Sequence, residues 1–191
     1  FFHSGRYATA ERIFNFDRPT AQLRGKRWGI IGLGNIGREV GRLAEAFGCK
    51  VVYYSTSGTA RQEKYKELSL EELLTSSDIV SIHCPLNERT AGLIGKEELA
   101  KMKSSAILIN VARGGIVDEA ALAEALDKGI IRGAALDVFS SEPLRESPLY
   151  NINDKYRLLV SPHNAWSSVE AIDRLIGCIA RNIEEYKAKR K

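Results

Sequence analysis

The chain has 191 residues, 44% apolar and 27% charged, with 28 basic and 24 acidic side chains mixed along its length for a net charge of +4. That is the profile of an ordinary globular domain with enough chain to bury a core. With no recognition motif beside the charge, it argues against nucleic-acid binding. No apolar run approaches the roughly 18 residues of a membrane span, so no membrane partner is expected. Cys49, Cys84 and Cys178 are odd in number and far apart. They suit neither a disulfide framework nor a metal site and point to a reducing, cytoplasmic compartment.

Residues 1–22 form an aromatic and basic lead-in without sustained periodicity, ending near Asp17-Arg18-Pro19-Thr20. The chain starts on Phe1 rather than methionine, so a piece of a longer protein is expected. From Leu23 apolar runs alternate with helical stretches, the signature of βαβ units. Strand 27–31 leads into Gly32-Leu33-Gly34-Asn35-Ile36-Gly37 and a helix through Phe47, with Gly48 placed as a left-handed stop. Strand 51–54 follows. Ser69-Leu70-Glu71-Glu72 reads as a capping box on a short helix ending before Asp78. Strand 79–82 is stopped by Pro85. A short helix spans 96–101, and strand 106–109 is apolar without alternation, as a strand covered on both faces should be. Asp118 caps a helix through Lys128, closed by Gly129. Strands 131–136 and 158–160 complete the set. A second capping box at Ser167-Ser168-Val169-Glu170 is expected to open a terminal helix, with Ile172, Leu175, Ile176 and Ile179 on one face. Six short strands with helical crossovers predict an α/β fold: a doubly wound, mostly parallel sheet, a Rossmann dinucleotide-binding fold in three α-β-α layers.

The glycine turn follows a strand and opens a helix, the context that gives G-x-G-x-x-G its meaning. Gly32 permits the tight turn, Gly34 lets backbone approach a pyrophosphate, and Gly37 lets helix and strand close up. Free amides at the helix start attract the phosphates. An NAD site usually places an acid about 20 residues on. Here Ser55 stands eighteen positions after Gly37, followed by Thr56 and Ser57. Two readings stand side by side: a plain polar turn beside NAD, or hydroxyls and amides, with Arg61, that admit the 2′-phosphate of NADP. The expectation is relaxed cofactor choice or a preference for NADPH.

Arg113, Glu142 and His163 each follow a strand. In a parallel sheet everything leaving a carboxyl end gathers on one edge. A phosphate cradle, a guanidinium, a carboxylate and an imidazole around one cleft are the equipment of a nicotinamide-dependent dehydrogenase. Of the other histidines, His3 reads as incidental and His83 as a polar wall residue. Cys84 has no neighbouring base that would make it a nucleophile.

The segments Asn110-Val111-Ala112-Arg113-Gly114-Gly115, Ala135–Pro143 and Ser161-Pro162-His163-Asn164-Ala165, together with the glycine turn, resemble the nucleotide-binding domain of the D-isomer-specific 2-hydroxyacid dehydrogenases. That family includes D-glycerate, D-3-phosphoglycerate and D-lactate dehydrogenases. The four motifs occur in order at matching intervals, and the likeness runs from about Leu23 to the chain end. His163-Asn164-Ala165-Trp166 is similar to the glycerate dehydrogenase and hydroxypyruvate reductase branch. The resemblance implies that Arg113 holds the substrate carboxylate and carbonyl, that His163 is the general acid, and that Glu142 bonds the imidazole and keeps it protonated. It places Asp137 at the nicotinamide end, Asn35 and Ile36 by the pyrophosphate, Cys84 and Pro85 along the adenosine half, and Val111 and Ala112 near the nicotinamide ribose. His163 and Ala165 also count among the cofactor-binding residues; no metal is implied.

The same resemblance implies a domain division into 1–22 as lead-in, 23–166 as dinucleotide-binding domain, and 167–191 as a helix returning toward a substrate domain largely absent from this chain. An incomplete enzyme, a small 2-keto or 2-hydroxy acid as substrate, and a homodimer follow as expectations. The rival is an NAD(P)H-sensing interaction module without significant turnover. A methyltransferase with a similar glycine turn explains neither the arginine nor the histidine motif.

Overall fold

The computed structural model describes Gly5, Ala8, Thr9, and residues 20–58 and 62–189. His3, Arg61 and most of the lead-in lie outside these residues. Seven strands form one sheet with every pairing parallel: β1 (Arg27–Ile31), β2 (Lys50–Tyr54), β3 (Lys66–Glu67), β4 (Ile79–Ile82), β5 (Ile107–Asn110), β6 (Gly133–Leu136) and β7 (Leu158–Val160). Their order across the sheet is β3-β2-β1-β4-β5-β6-β7. The chain therefore reverses direction between β1 and β4, where a doubly wound sheet opens its ligand crevice.

The helices are α1 (Asn35–Ala46), α2 (Leu70–Ser76), α3 (Lys96–Lys101), α4 (Glu119–Asp127) and α5 (Val169–Ala188). They cover both faces, as adjacent residues of β1 show. A Cβ on Gly29 would meet Leu73 of α2 at 2.7 Å, whereas the side chain of Ile30 reaches 3.2 Å from the Cβ position of Gly37 on α1. Neighbouring residues of a strand point to opposite faces, so α1 and α2 lie on opposite sides. The larger core, including Leu73, Leu74, Val80, Ile82, Leu99, Leu108, Leu122 and Leu126, fills the α2–α3–α4 side. Ile30, Leu33 and Tyr53 form a smaller cluster beside α1.

Register does the work of assembling the edge. Tyr54 pairs with Ile31, Ile31 with Ile82, Ile82 with Asn110, Asn110 with Leu136, and Leu136 with Val160. The next residue of each strand is therefore in one row: Ser55, Gly32, His83, Val111, Asp137 and Ser161. The chemistry-bearing turns all leave from that row.

Three differences from the sequence reading have physical causes. The seventh strand, β3, is two exposed residues at the sheet edge, too short and too polar to leave a periodic signal. β6 begins at Gly133, where a Cβ would come 2.9 Å from the carbonyl oxygen of Arg157, while Ile131 is fully buried before the strand starts. The terminal helix has no capping box. Ser168 is its N-cap, accepting from the Ala171 amide at 3.2 Å, and the Ser167 hydroxyl donates to the Asn164 carbonyl at 2.8 Å. Glu170 is thus one position too early to reach back to the cap. The box at Ser69 and Glu72, the Asp118 cap and the left-handed Gly48 and Gly129 are all present. Among the described residues no helix is long and apolar enough to cross a membrane.

Candidate active site

Gly32 turns the chain out of β1 at φ +90°, and a Cβ there would strike Cβ of Cys84 at 2.7 Å. Gly37 has an ordinary φ but no space: its Cβ would sit 2.4 Å from the Gly32 carbonyl oxygen. Gly34 is the opposite case, with nothing within 4 Å of its Cβ position. It starts α1 without a side-chain cap, and the first turn carries no acid. A twelve-residue helix thus presents an uncapped, uncontested N-terminus beside an open backbone, which fits a pyrophosphate. Asn35 and Ile36 form that first turn, and Ile36 is 68% exposed.

Two cavities run from this turn and share His83, Cys84 and Pro85. One, of about 200 Å³, lies between the glycine turn, Ser55, Thr56, Ser57 and Glu63. The other, of about 430 Å³, is bounded by Ile36, Leu86, Val111, Ala112 and Arg113. Every residue assigned to the cofactor from Gly32 to Arg113 borders one of them except Asn35 and Gly37. The sequence reading, however, found no carboxylate at the ribose end. The fold brings Glu63 to the wall of the cavity that holds Ser55, from the β2–β3 connection, too far along the chain for motif spacing to flag.

His83 hydrogen-bonds Ser81 through Nε2 at 3.1 Å, and burial pulls its pKa down to about 4. It is a neutral wall residue. Cys84 is 3% exposed, and burial pushes its thiol up, the reverse of what a nucleophile needs.

At the β5 end, buried Asn110 shapes the turn that carries Arg113. Its side chain accepts from the Ala112 amide at 3.1 Å and donates to the Arg113 carbonyl at 2.9 Å. Arg113 itself is exposed, with Nη1 2.7 Å from the Ala112 carbonyl. Gly114 presses backbone on backbone: its Cβ would fall 1.8 Å from the Phe139 carbonyl oxygen. That contact couples the arginine turn to the segment carrying Glu142.

Glu142 and His163 meet directly, Oε2 to Nδ1 at 2.6 Å. Oε1 of Glu142 accepts from the Phe139 amide at 3.0 Å. The bonds from His163 and Phe139 hold this carboxyl below the usual glutamate range. An ionised carboxylate only accepts, so the shared proton belongs to Nδ1 and Nε2 is left for the cleft. His163 and Glu142 border a large apolar cavity of about 970 Å³ together with Leu144, Tyr150 and Val160. Arg113 borders the neighbouring cavity rather than this one.

His163 has φ +51°, unusual for a side chain of its size. Asp137 explains how it is held. The Asp137 carbonyl accepts from the His163 amide at 2.9 Å. Its carboxylate accepts from the Ser161 hydroxyl at 2.6 Å, the Asn164 amide at 3.0 Å and the Ala165 amide at 2.9 Å. Burial acts to raise the Asp137 pKa, but these bonds outweigh it and the net shift is downward. Besides its expected place at the nicotinamide end, Asp137 is the brace under the histidine loop. Sequence reasoning missed that role, as it missed Asn110 and Glu119. The Glu119 carboxylate accepts from the Ser140 amide at 2.6 Å and the Ser147 hydroxyl at 3.1 Å, tying α4 to the glutamate segment. Among the described residues no group of three or more His, Cys, Asp or Glu could hold a metal.

Residues 2–165 match the family described as "D-isomer specific 2-hydroxyacid dehydrogenase, NAD binding domain". The chain is 42% identical over 184 residues to a "Putative 2-hydroxyacid dehydrogenase" of Haemophilus influenzae, covering 95% of this chain and 58% of that protein. It is 40% identical to a "Glycerate dehydrogenase" of Methylorubrum extorquens, covering 96% and 57%. Among solved structures, "Acyclic imino acid reductase (Bsp5) in complex with NADPH and D-Arg" superposes with a TM-score of 0.85 at 32% identity, covering 98% of this chain and 59% of that one. The chain thus spans a little more than half the length of these relatives.

Proposed function

The chain belongs to the D-isomer-specific 2-hydroxyacid dehydrogenases and carries their NAD-binding domain, and from that premise we propose that its gene product interconverts a 2-keto acid and a D-2-hydroxy acid with NAD(P)H. The observation that carries the reading is the 2.6 Å His163–Glu142 pair on the same sheet edge as the glycine cradle. Residues 23–166 are the dinucleotide-binding unit of this proposal.

The cradle fits its ligand: open backbone at Gly34 and an uncapped α1 meet the pyrophosphate, with Cys84 and Pro85 along the adenosine half and Val111, Ala112 and Asp137 toward the nicotinamide. A reduced nicotinamide, when bound, supplies a hydride to the keto carbon. Arg113 grips the substrate carboxylate with a planar fork that matches it in two parallel bonds. As negative charge grows on the keto oxygen, His163 donates the Nε2 proton and forms the hydroxyl. Glu142 holds the ring in register through the Nδ1 bond, which leaves Nε2 to face the keto oxygen. In the reverse direction the neutral Nε2 takes the hydroxyl proton. Ser55, Thr56 and Ser57 put hydroxyls rather than charge at the end of β2, which supports use of both NADH and NADPH. A homodimer belongs to the same reading, supported by the family resemblance, and a cytoplasmic location, supported by the three scattered cysteines.

The test is nicotinamide oxidation by the intact gene product across a panel of 2-keto acids. Turnover of at least one, with Arg113→Ala raising KM more than it lowers kcat, is expected. Tight dinucleotide binding without turnover of any keto acid would favour a redox-sensing module instead.

A further inference from the structure

We infer that Glu63, clasped by Arg38, is the carboxylate that reads the adenosine 2′ position in this chain. The inference rests on the dinucleotide-binding reading above and specifies which cofactor that site prefers. Where the family of such folds ordinarily places an acid, at the end of β2, this chain has Ser55, whose hydroxyl lies 3.1 Å from that of Ser57. Glu63 enters the same cavity as Gly32, Gly34 and Ser55 from eight residues farther along.

Glu63 is fixed there. Its side chain is only 11% exposed and forms a two-bond pair with Arg38, Nη2 to Oε1 at 2.5 Å and Nε to Oε2 at 3.1 Å. Arg38 follows the third glycine directly, so the pair sits beside the phosphate cradle. The two residues after Glu63 are clamped to the same helix. Lys64 pairs with Glu45 at 2.5 Å, and the Tyr65 ring fills the space over Gly41, 2.7 Å from its Cβ position. A loop tied to α1 at three successive residues delivers its carboxylate to one place.

The chemistry of the pair selects in two ways. The carboxylate accepts from a free ribose hydroxyl, and it repels a 2′-phosphate. It also occupies the guanidinium fork that would otherwise grip that phosphate in two bonds. Serines 55 and 57 leave room for the larger group, while the charge on Glu63 sets the balance toward NADH. Neutralising one side chain both removes the repulsion and frees the phosphate ligand.

The experiment is a nicotinamide-fluorescence titration of the intact gene product with NADH and with NADPH. Wild type is expected to bind NADH more tightly. Like-charge contact costs enough that Glu63→Gln should move the affinity ratio toward NADPH by about tenfold or more. Adding Arg38→Gln to that variant should remove the gain in NADPH affinity, and adding Ser55→Asp should restore the preference for NADH. If Glu63→Gln fails to fold by circular dichroism, Arg38→Gln alone decides, because it removes the two guanidinium bonds to the carboxylate and should sharpen rejection of NADPH. A ratio that moves by less than about twofold in the folded single variant, or tighter NADPH binding by wild type, overturns the inference. Failure of wild type to bind either dinucleotide overturns the cofactor reading itself, and this inference with it.

Discussion

At the glycine turn after β1 the working groups are backbone amides and absent side chains; at the β5–β7 end they are side chains held by other side chains. Gly34 is useful because its Cβ position is empty, and α1 because nothing caps it. Arg113, Glu142 and His163 are useful only because Asn110, the Phe139 amide and Asp137 aim them. The contrast predicts different failures. Damage at the first end should weaken dinucleotide binding, and damage at the second should impair substrate turnover in a protein that still binds the dinucleotide.

The largest expected effect is at the second end. His163→Ala should lower kcat by roughly 10²–10⁴-fold, the usual worth of a positioned general acid, while NADH titration stays close to wild type. Normal turnover in that variant would break the comparison. Gly37→Ala is the matching change at the first end. Its methyl group would meet the Gly32 carbonyl at 2.4 Å, so β1 and α1 must separate. Overpacking of this kind costs about 1–3 kcal/mol, and the melting temperature should fall together with dinucleotide affinity. Unchanged affinity would mean that the close approach is not what shapes the cradle.

The smallest effect sharpens the boundary between the ends. His83 borders both cofactor cavities, and burial lowers its pKa from 6.5 to about 4. Between those values the unfolded chain takes up a proton that the folded chain declines, so stability should fall as pH drops through that window. Urea titrations from pH 7 to about pH 4 should show a shallower decline for His83→Gln than for wild type. An identical slope would assign the acid sensitivity to other groups.

Legibility in the sequence followed the same divide. Glycine spacing between a strand and a helix is local, so the cradle, the helix stops at Gly48 and Gly129, and the caps at Ser69 and Asp118 could be read from the chain alone. The sheet followed from apolar runs, except β3, whose Lys66 and Glu67 carry no hydrophobic signal. Strand-end positions gathered the side chains of the cleft, but their roles were readable only through resemblance, since a glutamate before proline and a histidine in a loop are ordinary on their own. Their supports were not readable at all. Asp137 reaches loop amides more than twenty-five residues on, Glu119 reaches Ser140, and Glu63 enters the cavity beside Gly32 and Ser55 from a polar connection. Such pairings exist only once the register has put the strand ends in a row.

The most direct test is a crystal structure of the intact gene product with NADH bound. The pyrophosphate should rest on the amides that follow Gly34, and the nicotinamide should lie between Arg113 and the His163–Glu142 pair with Nε2 facing its reactive carbon. A dinucleotide bound away from the glycine turn, or a nicotinamide on the far side of the sheet from His163, would contradict the account.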